Sequence, residues 1–146
     1  MSALAEKTFD DLTCAFRHWR GDHRLASVHG YALAITLRVR TTRNEAGTAG
    51  LVDFSKFGPI KQLLQNQFDH TLIVANDDPE AATFVEFAER TGTRVRLMPS
   101  VALDGIAAWV IEHCDSAVTE LDPFLQLVGV RVQETPRSSI EIAAGF

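Results

Sequence analysis

Between Val28 and Val39 the chain alternates between apolar and small or polar positions. His29, Tyr31, Leu33, Ile35, Leu37 and Val39 share one face, and Gly30, Ala32, Ala34, Thr36, Arg38 and Arg40 share the other. Such a period of two predicts a β-strand, whose side chains point to opposite sides at each step. The apolar face opens on a histidine and a tyrosine. The preceding segment, Phe9 to Trp19, alternates as well, and its apolar face (Leu12, Cys14, Phe16) ends in His18. The loop RGDHRLASV joins the two. Consecutive strands with a connection of this length pair most often as an antiparallel hairpin. In that hairpin His18 closes one apolar face and His29 opens the other. Both then stand at the same end of the sheet, near the loop that carries His23.

The pattern changes after Thr41. Asn44, Gly47 and Gly50 predict a turn or loop, and LVDF resumes the extended chain. Ser55 to Phe68 reads as a helix, with Phe57, Ile60, Leu63 and Leu64 at helical spacing and Pro59 tolerated in a first turn. Asp78 before Pro79 predicts a helix N-cap, and that helix runs through Phe84 and Phe87 to Arg90, where Gly92 ends it. Val95 to Met98 is a short extended piece. Leu103, Ile106, Ala107, Val110, Ile111 and Cys114 recur at spacings of three and four, which predicts an amphipathic helix. Phe124 to Glu134 alternates again: Phe124, Val128, Val130 and Val132 face one way and Glu134 ends that face. TPRS turns the chain, and Ser139 to Ala143 returns as a closing strand. The order of two strands, helices and two strands predicts an α+β fold, an antiparallel sheet covered on one side by helices. The whole of residues 1–146 reads as one domain, without internal repeat or linker.

Composition narrows the partners. A 46% hydrophobic and 23% charged content is that of a globular chain. A formal net charge of -5 argues against nucleic acid, because no basic stripe offsets phosphate repulsion. No apolar run is long enough to span a bilayer, so no membrane is expected. MSALAEKTFDD holds no apolar signal segment. Cys14 and Cys114 form no CxxC, which suits a reduced, cytoplasmic protein with free buried thiols.

Three groups of residues offer chemistry. Neutral imidazoles from adjacent strands can bind zinc, and a catalytic zinc needs three protein ligands and one open position. His18 and His29 are candidates, with His23 or Tyr31 as a third. The alternative is that these histidines end a core and are satisfied by water or backbone. Asp69-His70 is the second group, since an aspartate beside a histidine can hold its tautomer for proton transfer. The alternative is a solvated helix end. Glu134 is the third. A carboxylate ending an apolar face is costly unless it meets water or a ligand, and a ring N–H beside an amino group would satisfy both its oxygens. Arg94 and Arg96 flank a short strand and read as solvent-facing. His113 reads as a helix C-terminal residue in a favourable dipole contact, and Trp109 as packing.

Together these pieces resemble the 6-pyruvoyl-tetrahydropterin synthase and 6-carboxytetrahydropterin synthase family. The resemblance rests on HGYAL at 29–33, VDFSKF at 52–57, FDHTL at 68–72, LDGIAAWVIEH at 103–113 and VRVQETPRSSI at 130–140. It implies a T-fold, a four-stranded antiparallel sheet with helices packed on one face, and self-association into a hexamer or other T-fold oligomer. It implies zinc held by three histidines, of which His18 and His29 match two. Tyr31 stands where the third would be, and His23 is a conceivable substitute. Leu25 stands at the family's usual cysteine. Asp69 and His70 match the family's other acid/base element, and Glu134 matches the glutamate that anchors the pterin. The resemblance thus implies a zinc-dependent lyase acting on a dihydroneopterin triphosphate-type pterin with an altered site. The alternative is a non-catalytic pterin-binding or assembly homologue of the same fold. Leucine cannot abstract a proton, and losing a general base costs roughly 100- to 10,000-fold in rate.

Overall fold

The computed structural model describes residues 2–145. Six strands form one sheet in the order β4-β3-β1-β2-β5-β6. They are β1 (Ala3–Phe16), β2 (His29–Thr41), β3 (Thr71–Ala75), β4 (Val95–Met98), β5 (Leu125–Thr135) and β6 (Ser138–Ala143). The helices are α1 (Gly58–Phe68), introduced by a 3-10 turn at Phe54–Phe57, then α2 (Ala81–Thr91) and α3 (Leu103–Leu121).

β1 and β2 form the expected antiparallel hairpin, with Phe16 opposite His29, Cys14 opposite Tyr31 and Leu12 opposite Leu33. Leu33, Ile35, Leu37 and Val39 are fully buried, as their alternation requires. Both strands are longer than their apolar stretches, and β1 stops at Phe16, so His18 stands just past its end. Between Phe9 and Leu12 the spacing of three breaks the period of two. A bulge absorbs the odd residue there, with Asp11 in the left-handed region at φ 55°.

The expected antiparallel sheet is present as β1-β2-β5-β6, but it is not complete at four strands. β3 and β4 extend it on the β1 side, and both run parallel to β1. The segment read as an unassigned stretch, Thr71–Ala75, is buried at every residue. A strand covered on both faces shows no alternation, which is why its sequence carries no period-two signal. Its register puts Leu72 on the face of Ala15 and Thr71 on the face of Cys14. Ile73 and Ala75 belong to the main core, whereas Leu72 and Val74 are buried outside it. α2 packs on β3 and β4 there, with Arg17, the residue after β1, 5.5 Å from the Phe84 ring. So α1 and α3 cover one face, α2 covers the other at the sheet's end, and β3-α2-β4 is a parallel crossover.

β5 also departs from simple alternation. Gly129 pairs with Arg38 but Leu127 pairs with Val39, so Val128 is the extra residue of a bulge. The buried positions are therefore Leu125 and Leu127 before the bulge and Val130 and Val132 after it, while Phe124 is exposed. Helix ends follow local chemistry. Gly92 takes φ 74° and donates its N–H to Ala88 O, ending α2 as its sequence predicts. Asp78 is not the N-cap that its place before Pro79 predicts: α2 starts at Ala81 with Glu80 at its N-cap and no side-chain cap bond, and the Asp78 carboxylate instead accepts the Glu80 N–H at 2.8 Å in the turn before the helix. α3 continues to Leu121, which places His113 in mid-helix rather than at a C-terminus. It stacks on Trp109 at 3.9 Å, and Trp109 packs edge-on against Phe68.

Candidate active site

The end of the β1-β2 hairpin gathers the aromatic and polar residues that its alternation selects. The Phe16 ring stacks on Tyr31 at 4.1 Å and meets His18 edge-on at 5.6 Å. Glu134 follows Gln133, the last β5 residue paired with β2, and lies close enough for its charge to act on Tyr31. Tyr31 feels that neighbourhood. Burial, then the negative charge of Glu134 and then Cys14 hold its hydroxyl above the usual phenol range, so it keeps its proton and is a donor. The sequence had not marked Cys14 as part of this group. Burial and the charge of Asp69 push its thiol up to about 12, so at neutral pH it offers no thiolate.

The connecting loop is built on Asp22, whose carboxylate accepts the Arg24 and Leu25 N–H groups at 3.0 and 3.2 Å. Leu25 folds over Gly21, where an added Cβ would come within 2.7 Å of the Leu25 Cβ. Leu25 is nevertheless 46% exposed. His29 Nε2 lies 2.5 Å from the Arg24 carbonyl, and His23 stands exposed on the loop. Among the described residues no three His, Cys, Asp or Glu side chains form a metal-binding group. Zinc requires three protein ligands in a catalytic site. His18 and His29 supply two, His29 is already engaged with backbone, and Tyr31 is a protonated phenol packed on Phe16. The donor set of one chain therefore does not fit zinc, and no step below runs through a metal.

Asp69 and His70 do meet. His70 Nδ1 lies 3.3 Å from Asp69 Oδ1. The contact is built by backbone. Asp69 ends α1, donating its N–H to Gln65 O, and its carboxylate accepts the Thr13 N–H at 3.0 Å. His70 donates its N–H to Thr13 O and takes φ 56°. A left-handed non-glycine residue costs about 1–2 kcal/mol and persists where surroundings fix it. The histidine is 76% exposed at its side chain, leaving Nε2 free. His70 and Glu134 are not brought together in one chain: they sit three strands apart across β3, β1, β2 and β5, about 14 Å of sheet.

A further cavity of about 290 Å³ opens where β1, β3 and β4 end together, lined by His18, Trp19, Arg20, Asp77 and Ser100 among others. The carboxyl ends of parallel strands are a recurrent place for ligands. Asp77 accepts from Trp19 Nε1 and Arg20 Nη2, both at 3.2 Å. Beneath it Arg17 grips Asp78 with two bonds of 2.8 and 2.6 Å and reaches the Ala26 carbonyl at 3.4 Å. This pair ties the loop after β1 to the turn after β3. Sequence reasoning missed these residues because only the β1-β3 pairing brings them together.

The profile of the family described as 6-pyruvoyl tetrahydropterin synthase matches residues 6–144. The chain belongs to that family. No curated protein matches it. Among solved structures, an uncharacterised protein from Wolinella succinogenes is 18% identical with a TM-score of 0.80, each chain covered to 99%. The 6-pyruvoyl tetrahydropterin synthase of Plasmodium vivax is 16% identical with a TM-score of 0.61, each chain again covered to 99%. That of Caenorhabditis elegans is 16% identical with a TM-score of 0.61, covering 99% of this chain and 97% of its own. These likenesses establish the T-fold, here with six strands. No helix is long and apolar enough to cross a membrane.

Proposed function

We propose that this protein is a pterin-binding, lyase-type member of the 6-pyruvoyl tetrahydropterin synthase family, acting on a dihydroneopterin triphosphate-type substrate. The observation that carries this reading is the Asp69–His70 pair, held by Thr13 with the His70 ring exposed. Asp69 orients the ring through Nδ1, and Nε2 takes a proton from the substrate side chain. The C–H electron pair forms a double bond as the C–O bond to triphosphate breaks. Glu134 accepts the ring N–H and amino hydrogens of the pterin. Because His70 and Glu134 are three strands apart, the reading includes self-association, with one copy's Glu134 facing another copy's His70. Two free buried thiols suit a reduced, cytoplasmic setting.

Incubation with dihydroneopterin triphosphate, monitored by triphosphate release, tests the proposal. Turnover is expected, falling roughly 100-fold or more in His70→Ala. Metal content of the same preparation decides the place of zinc: metal retained by the native protein and lost in His18→Ala and His29→Ala would mean that a third ligand comes from elsewhere.

A second reading, a non-catalytic pterin-binding homologue, is favoured by the absence of a thiol at Leu25 and the protonated state of Cys14. It predicts pterin binding, weakened by Glu134→Ala, without product. Turnover sensitive to His70 would refute it.

A further inference from the structure

Behind His70 the surface carries an uncompensated pair of positive charges. Arg94 Nη2 donates to both Asn66 O and Asn66 Oδ1, each at 3.3 Å. Arg96 reaches the same two atoms, Nε to O at 2.9 Å and Nη2 to Oδ1 at 3.2 Å, and donates Nη1 to the Val95 carbonyl at 3.1 Å. Two guanidinium groups are thus gathered on one neutral amide. Among the described residues neither has a carboxylate within ion-pair distance, although the chain as a whole is acidic. Like charges so placed repel unless an anion joins them.

The surroundings suit an anion. Arg94 lines a cavity of about 250 Å³ together with Gln62, Gln65, Asn66, Asp69 and His70. The amides of Gln62 and Gln65 add neutral donors. The one carboxylate there, Asp69, turns its Oδ1 to the Thr13 N–H and to His70. Arg94 spends only Nη2 on the protein, so its Nε and Nη1 donors stay available, and a guanidinium fork matches phosphate oxygens.

We propose that Arg94, held with Arg96 on Asn66 beside His70, presents its free donors as a subsite for the phosphate chain of a small phosphate ester, with Arg96 adding positive charge behind it. The inference rests on the pterin reading for the identity of the ester, since it sets the leaving phosphates next to the base. It stands on its own for the anion. Titration of the full chain with inorganic triphosphate at low salt tests it. Binding is expected for the native protein, weakened roughly tenfold in Arg94→Gln and further in Arg94→Gln/Arg96→Gln. Arg94→Lys keeps the charge but loses the fork, so it binds less tightly than the native protein. Arg94 is exposed, so the single variants remain readable if the double one does not fold. No binding by the native protein, or equal binding by Arg94→Gln, overturns the subsite. Dihydroneopterin, which lacks phosphate, separates the two readings. If it binds and triphosphate does not, the subsite is wrong and the pterin site stands. Triphosphate binding that depends on Arg94, without dihydroneopterin binding, upholds the subsite and removes the pterin.

Discussion

On the resemblance read from the sequence, position 25 is where this chain has leucine in place of the family's usual cysteine. Leu25 brings no ionisable group, and the thiol of β1, Cys14, is kept in its neutral form by burial and by Asp69. Cys114 is likewise pushed up to about 12 by burial. Both thiols are therefore expected to resist a water-soluble disulfide reagent in the folded protein and to react once it is unfolded in urea. Leu25→Cys should add a single fast-reacting thiol, because that side chain is 46% exposed. Rapid labelling of Cys14 in the native state would contradict this account. Much at this scale was legible in the sequence. The hairpin that carries His18 and His29 followed from counting by twos, and the Asp69–His70 pair from adjacency. What the sequence could not show was whether those groups touch. His29 turns to a carbonyl five residues back, whereas Asp69 and His70 meet because the Thr13 backbone holds them both.

Elements follow the same division between local and distant causes. β2, α1 and α3 were legible because each has one buried face and one exposed face. β3 was not, since burial on both sides erases the period, and the bulge at Val128 shifted the phase of β5. The contact that joins elements at the site is Arg17–Asp78. The Arg17 hydrogen bond holds the Asp78 carboxyl below its ordinary 3.8, opposed in part by burial. A lowered folded pKa means that the pair's stabilisation is present above that ordinary value and is lost as pH falls through and below it. Asp78 is 2% exposed at its side chain and Arg17 20%. Asp78→Asn should therefore cost about 3 kcal/mol at neutral pH. Urea denaturation at pH 6 and pH 3 should show a smaller drop for the variant than for the native protein. An equal drop in both would assign the acid sensitivity to other carboxylates.

At the scale of the molecule, the sheet has two open edges, β4 and β6. Edges of this kind are protected by charge or by pairing with another chain. The proposed chemistry calls for the second solution, because Glu134 and His70 belong to different regions of one chain. Mixing Glu134→Ala with His70→Ala after joint refolding should then restore part of the turnover that each variant lacks, since some sites receive both native residues. Mixtures as inactive as their components would show that each site is made within one subunit.

The strand order has a consequence during synthesis. β2 borders β1 on one side and β5 on the other, and β5 begins only at Leu125. A chain emerging from the ribosome can close its first hairpin early, from contacts near in sequence. The far edge of β2 then keeps its peptide groups unpaired until β5, which begins at Leu125, arrives. The strand that closes that edge also delivers Glu134, the proposed pterin anchor, so a nascent or truncated chain lacks that residue for as long as it remains prone to pair with strangers.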